Sequence, residues 1–516
     1  MDATTGTGQQ PGQQSLSADE VEDGLFEAVR AHLDGVIVWA RSGEAMGLEN
    51  GPLEERVLAE GFETMRLLTQ AHLAVRTARE ERRRDVVDAD GDPRVRVEAG
   101  KEHTRTMLFG SVRTSRMTYR RYHKTNLFPQ DRELNWAGHS WSAGVVKRVA
   151  RAVAAVPFEQ AADQIATTTA ITIGKRQVEA LAVGAAVDFE AFYAARRPGP
   201  RPDDVGLLIT ADGSAFPVLP AALRPATAKA AAARATAASG WPEDPRPGHK
   251  ATKRSAELVC VADIPKAPRT TEEVITAVFG PHTQPAAQPG PVAEGKTVFA
   301  SAAHPIPAVI ADGFAEAERR DPGHDRTWYA LADGNNAQID AINAQATKYA
   351  VTVPILIDFI HVVQYLWKAA GSFFYTGDPA ARQWVVEQSR KILDGKATDV
   401  AAGIRRRATR FGYTGKERDG ADTCATYLDH KAAYLDYPAF LTAGRPIATG
   451  LIEGACRWLI KDRMQVTGAR WTLDNAEAVL KLRALAGNGD FDDYFTYHQQ
   501  QEKRRNHDNH YQQPAA

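Results

Sequence analysis

Apolar positions along the chain follow two rhythms. From Ala18 to about Arg84 they recur every three or four residues, with Leu25, Val29, Leu33 and Val36 on one stripe and Leu58, Phe62, Met65 and Leu68 on another, which predicts helices. Between His103 and Tyr122 the run TMLFGSVRTSRMTYRRY turns to Thr, Val, Met and Tyr around Gly110 and predicts two strands joined by a turn. Helical spacing resumes near Ser140. In PFEQAADQIATTTAITIGKRQVEALAVGAA a short helix, a Thr-rich break and a second helix opening at Lys175 and Arg176 fit either a helix-turn-helix, whose second helix would enter a major groove, or a plain helical hairpin.

The Pro-rich segment RRPGPRPDD then closes the helical block near residue 203. Beyond it, VGLLITAD, SAELVCVADIP, KTVFASAA, RTWYALADG and VPILIDF are short apolar runs suited to buried strands, and Ile306 to Arg320 has helical spacing. The fold class is therefore α/β. An Ala-rich, basic, Pro-punctuated stretch between the first two runs predicts a loop or short helix. From residue 361 to 448 the strand pattern vanishes and helix-like spacing carries Trp367, Phe373, Phe374, Tyr375, Trp384, Tyr427 and Tyr434, so a helical insertion interrupts the α/β unit. ATGLIEGACRWLIKDRMQVTGARW follows, a helix with an aromatic-tipped turn. The expected organisation is a disordered 1–18, a helical region 19–100, a basic hairpin 101–135, a helical block 136–200, an α/β core 204–360 completed by 449–498, the insertion 361–448, and a disordered tail 499–516.

Composition narrows the classes. With 43% hydrophobic and 25% charged residues the chain can bury a core, and its 516 residues leave room for several domains. Cys260, Cys424 and Cys456 are too few and too scattered for a disulfide framework or a zinc ribbon, which fits a reducing cytoplasm. The N-terminus lacks the pattern of a signal peptide and no apolar run reaches the roughly 20 residues of a membrane span, so no membrane partner is expected. A net charge of -1 disfavours wholesale nucleic-acid binding, but Lys101 to Arg132 holds eight cations against Glu102 and Asp131. That stretch reads either as a phosphate-contacting surface, with Arg113, Arg116, Arg120, Arg121 and Lys124 as candidates, or as a solvated hairpin.

Asp212, Asp333 and Asp358 end or lie within three of the strand candidates. An Asp-Gly after a strand is usually a turn, yet carboxylates are costly to bury unpaired, and several together suggest a cation or a catalytic role. On TGLIEGACRWLIKDRM, Glu453, Arg457 and Lys461 recur at i, i+4 and i+8, a stripe that reads as an exposed salt-bridged face or as a metal-ligating acid beside DNA-contacting cations. Two divalent cations held by such carboxylates, Mg²⁺ or Mn²⁺, would serve phosphodiester cleavage and transfer. His361, three residues past Asp358, shares its helix face, and a lone His there is more often a core residue.

At these residues the chain resembles insertion-sequence transposases of the ISKra type, cousins of the Mutator-like DDE enzymes. The likeness spans roughly residues 105 to 473 and rests on YRRYHKTNLFPQD, PFEQAA, ADGS, LADGNNAQ, ILIDFIHVVQYLWKAA and GLIEGACRWLIKDRMQVTGARW. It implies an RNase H-like catalytic core with an all-helical insertion, preceded by a helical and β-hairpin DNA-binding region. It maps the catalytic, metal-holding acids onto Asp212, Asp333 and Glu453, and implies supporting roles for Asp358 and His361. Arg470 and Trp471, in the closing GARW, join Arg457 and Lys461 as expected DNA contacts. The implied partners are terminal inverted repeats and target DNA, bound by a homo-oligomer. Family members often carry paired cysteines before the F-P-x-D run, whereas this chain has RRYHKTNLFP and so lacks that zinc ribbon. Two rivals stand beside this reading: a catalytically silent DNA-binding protein derived from a transposase, and a glycosidase or phosphatase using two of the same acids.

Overall fold

A computed structural model describes residues 22–136, 138–197, 205–238, 253–281, 289–466 and 468–512. The expected disorder of 1–18, most of the Pro-rich boundary, the middle of the Ala-rich stretch and the last four residues lie outside these. The chain divides into two compact units, one formed by residues 1–181 with 495–516 and the other by residues 182–494. No described helix is long and apolar enough to cross a membrane.

The first unit holds the helices Glu27–Ala40 and Asn50–Ala78 and an antiparallel hairpin of β1 (Arg96–Met107) and β2 (Gly110–Arg120). The hairpin begins earlier than the expected residue 101, because the polar run RVEAGKE pairs in register with β2 from Arg96↔Arg120 onward, with a bulge between Glu98 and Lys101. The helices Ala143–Ala155 and Phe158–Thr168 follow, then Lys175–Ala185, so both arms of the expected helix pair form around their Thr-rich break.

The tail does not match its expectation. Phe491–Asn506 is a helix, and a short 3-10 turn follows at Asp508–His510. Its polar composition hides the partners that hold it: the Asn135 side chain donates to the Gln499 carbonyl at 3.0 Å, His507 meets the Trp136 carbonyl at 2.8 Å, and Arg132 pairs with Asp508 at 2.8 Å. Tyr511 completes a small buried cluster with Val86, Tyr119 and Leu127.

The second unit is built on a five-stranded mixed sheet. Its strands are β3 (Gly206–Pro217), β4 (Lys253–Ile264), β5 (Glu294–Ser301), β6 (Trp328–Ala332) and β7 (Ile355–Ile357), in the order β5-β4-β3-β6-β7. β4 runs antiparallel to both neighbours, whereas β3, β6 and β7 are mutually parallel. All five apolar runs singled out in the sequence therefore form strands, and Ile306–Arg320 forms the expected helix. Leu207, Leu208 and Ile209 and the whole of β6 are buried, as central strands covered on two faces require.

The insertion is helical as expected, with Phe359–Phe373, Pro379–Leu393, Ala397–Arg410, Asp419–His430 and Tyr437–Thr442. Its buried side chains join the core of the sheet. Leu366, Ala425, Leu428 and Tyr437 belong to the same buried cluster as Leu208, Ile264, Leu331 and Ile357 of the sheet.

Candidate active site

The sheet brings the first two acids together by register. The last rung between parallel β3 and β6 is Thr210↔Leu331, and Asp212 and Asp333 each lie two positions further on. Neighbouring strands run about 4.8 Å apart, and residues two apart share a face, so both side chains leave the same end of adjacent strands on one side. Asp212 is half-buried within the longer β3, its Oδ1 accepting the Gly213 N–H at 2.7 Å. Asp333 ends β6 in a turn and accepts the Asn335 N–H at 2.8 Å. That turn needs Gly334, whose φ of +96° suits glycine and where a Cβ would stand 2.6 Å from the Tyr427 hydroxyl.

Glu453 arrives after the insertion, on the helix Gly450–Cys456. Asp212, Asp333 and Glu453 line one cleft of about 570 Å³ together with Ser214, His361 and Thr449. Arg457 and Lys461, the cations of the same predicted stripe, line it too, and both are exposed. The stripe is not strictly α-helical, because Arg457–Lys461 forms a π turn. Arg483 accounts for that turn locally: its guanidinium donates to the Leu459 carbonyl at 3.1 Å and to the Trp458 carbonyl, and it lies 4.8 Å over the Trp458 ring.

Asp358 ties these pieces together from a fully buried position. Its backbone N–H donates to the carbonyl of Ala332, the residue before Asp333, at 2.9 Å. Its Oδ1 caps the helix Phe359–Phe373 by accepting from Ile360 N at 2.5 Å and His361 N at 3.1 Å. Its Oδ2 accepts from both the backbone and the hydroxyl of Thr449, which starts the turn into the Glu453 helix. Asp358 therefore touches both ends of the insertion, while His361 faces the cleft itself.

Two further groups border the acids. The Cys456 thiol, three residues after Glu453, is pushed up to about 12 by burial and by the Asp212 carboxylate, to which it hydrogen-bonds. Glu257, opposite Gly213 in β4, is raised above the usual carboxylate range by burial, with Asp212 adding to the rise and Ser255, bonded at 3.2 Å, opposing it. The alternation of β4 shows that Glu257 and Ser255 share a face, a signal that the register with β3 turns into proximity.

Among the described residues no group of three or more His, Cys, Asp or Glu side chains is arranged to hold a metal ion, so Asp212, Asp333 and Glu453 share a cleft without forming a ready ligand set. The donor chemistry nevertheless suits a hard divalent cation. Asp212, Asp333 and Glu453 present carboxylate oxygens to one cleft, and among the described residues none of them is engaged in an ion pair.

The expected DNA contacts fare unevenly. Lys175 and Arg176 are exposed in the first turn of their helix, and Arg113 and Arg470 are exposed as well. Arg116 is not available for a surface: it is buried, paired with Asp131 at 2.6 Å and 4.2 Å over the Phe128 ring. Arg120 pairs with Glu98 at 2.9 Å, Arg121 with Asp92 at 3.0 Å, and Lys124 with Asp90 at 2.5 Å, so acids lying just before the basic stretch neutralise much of it. Trp471 is also buried, with its indole N–H donated to the Met464 carbonyl at 3.1 Å and Arg463 lying 4.8 Å over its ring. It anchors the loop rather than tipping it.

No protein-family model matches the chain, and no curated protein matches it in sequence.

Proposed function

We propose that this chain is a DNA transposase of the DDE type, related to the ISKra insertion-sequence enzymes, that cleaves and rejoins DNA at a site made by Asp212, Asp333 and Glu453. One observation carries the reading: three acids from distant stretches of chain line a single cleft beside two exposed cations, Arg457 and Lys461. The sheet supports it, with its first strand β3 central, the antiparallel β4 lying between it and β5 on one side, and the parallel β6 and β7 on the other, the strand order of an RNase H-like core. The three carboxylates would hold two Mg²⁺ or Mn²⁺ ions, which when bound neutralise charge on the attacking and leaving oxygens of a phosphodiester. Arg457 and Lys461 hold the phosphate backbone against the cleft, His361 lines its wall, and Asp358 keeps the two arms of the site in place. The DNA partners are the element's terminal repeats and its target, engaged by a homo-oligomer.

The test is divalent-dependent nicking of a labelled duplex carrying the element's ends. Asp212→Asn, Asp333→Asn and Glu453→Gln each lower the rate by roughly a hundredfold or more, chelation does the same, and duplex affinity changes little. Full strand transfer by any one of these variants would end the assignment. A silent DNA-binding protein is the second reading, favoured by the open arrangement of the three acids. It predicts duplex binding with no product at any divalent concentration.

A further inference from the structure

The helical insertion holds a cluster that the cleft does not use. Arg407 sits among aromatic rings, 4.7 Å from the centroids of both Phe373 and Phe374 and 5.6 Å from that of Phe411, and its Nε finds no hydrogen-bond partner. Phe373, Tyr413 and Phe411 form a column of near-parallel rings, with centroid spacings of 6.2 and 5.5 Å and interplanar angles of 21° and 18°. The column runs from the half-buried Phe373 and Tyr413, which pack against the core, to the surface, where Phe411 is 55% exposed. An exposed Phe at the end of such a stack leaves a π surface in water that a planar partner can cover.

Charge says which partner. On and just after the helix Ala397–Arg410, Arg405 pairs with Asp429 and Arg418 with Asp422. Among the described residues no ion pair engages Arg406, Arg410 or Lys416, all exposed and close to Phe411 in the chain. Arg406 and Arg410 are one turn apart and share a helix face. An exposed ring flanked by uncompensated cations matches a nucleobase flanked by phosphates, since every base offers a π face and every linkage a negative charge. A protein segment would need acids to meet these cations and would gain less from a flat ring column.

We propose that this corner of the insertion binds unpaired nucleotides, with a base stacked on Phe411 and the flanking phosphates held by Arg406, Arg410 and Lys416. The site goes beyond the carboxylate cleft and requires no chemistry there. In a duplex the bases are already stacked on one another, so the platform selects strands that are single or locally opened.

Fluorescence anisotropy of the full chain, in chelator, with a dye-labelled oligothymidylate and with a duplex of equal length tests it. Phe411→Ala weakens single-strand binding about tenfold and leaves duplex binding unchanged, whereas Phe411→Trp restores it. Arg406→Gln with Arg410→Gln reduces the slope of log affinity against log salt by about 1.4. Phe411 is exposed, so its variants fold, and an unchanged thermal midpoint verifies this. The proposal is overturned if the unaltered chain does not bind the strand, if Phe411→Ala has no effect, if it weakens duplex binding equally, or if it changes only self-association in sedimentation. Glu453→Gln separates the two readings: it removes cleavage and keeps strand binding. Loss of the catalytic reading alone therefore leaves this one standing, and the reverse holds for Phe411→Ala with cleavage intact.

Discussion

Asp358 shows how much one side chain can decide. Its two carboxylate oxygens divide the work, Oδ1 capping the helix Phe359–Phe373 and Oδ2 receiving Thr449. Asp358→Asn is therefore a selective probe: the amide oxygen keeps the cap, while the amide nitrogen meets the Thr449 N–H as a second donor. Leaving a buried donor unmatched costs about 1–3 kcal/mol. The expected outcome is a lower denaturation midpoint of that order, with nicking slowed at least about tenfold as the Glu453 helix loses its anchor, and duplex affinity held. Unimpaired nicking by a folded Asp358→Asn protein would show that the Thr449 contact does not position Glu453. For this residue the sequence implies a supporting role only through a resemblance to a motif. The contact itself is not legible there, because Thr449 lies 91 positions away and nothing in its neighbourhood marks it as a partner.

At the scale of elements, the strands of the second unit were the most readable part. Runs such as VGLLITAD and RTWYALADG form central strands, and burial on two faces leaves no polar alternation to mislead. The basic hairpin is less readable because the acids that offset its charge lie outside it in sequence. Asp90, Asp92 and Glu98 stand just before it, and they neutralise Lys124, Arg121 and Arg120 once β1 folds back on β2. The closing helix is hidden in the sequence for a different reason. QQQEKRRN offers almost nothing apolar, and the groups that fix it, Asn135, Trp136 and Arg132, come from more than 360 positions earlier. Deleting residues 499–516 is thus expected to destabilise the first unit by several kcal/mol, since it removes two hydrogen bonds and the Tyr511 ring at roughly 1–3 kcal/mol each, with the part-exposed Arg132–Asp508 pair adding less. Thermal unfolding of the shortened chain measures this, and an unchanged first transition would mean that the helix is dispensable.

For the larger of the two units, the insertion and the sheet are one body energetically. A separate helical domain would bury its own apolar residues, but here Leu428 and Leu331 share a core. Leu428→Ala, far from the carboxylates in sequence, should cost about 2–5 kcal/mol and lower the hydrogen-exchange protection of β6 and β7 together with that of the insertion helices. Loss of protection confined to the helices would show two independent bodies instead. This merging explains why the boundaries near residues 361 and 448 could be drawn from pattern while the dependence across them could not: periodicity reports which element forms, and says nothing of which elements share a core.

The first unit takes residues from both ends of the chain, up to 181 and from 495 onward. On a ribosome its opening helices and hairpin emerge early yet must wait for the whole intervening unit to be translated before Asp508 and Tyr511 appear. A message cut short, or a nascent chain released early, yields a polypeptide whose N-terminal portion lacks its closing pieces and so is presented to proteases and chaperones unfinished. Quality control of this protein is in effect written into the order of its synthesis.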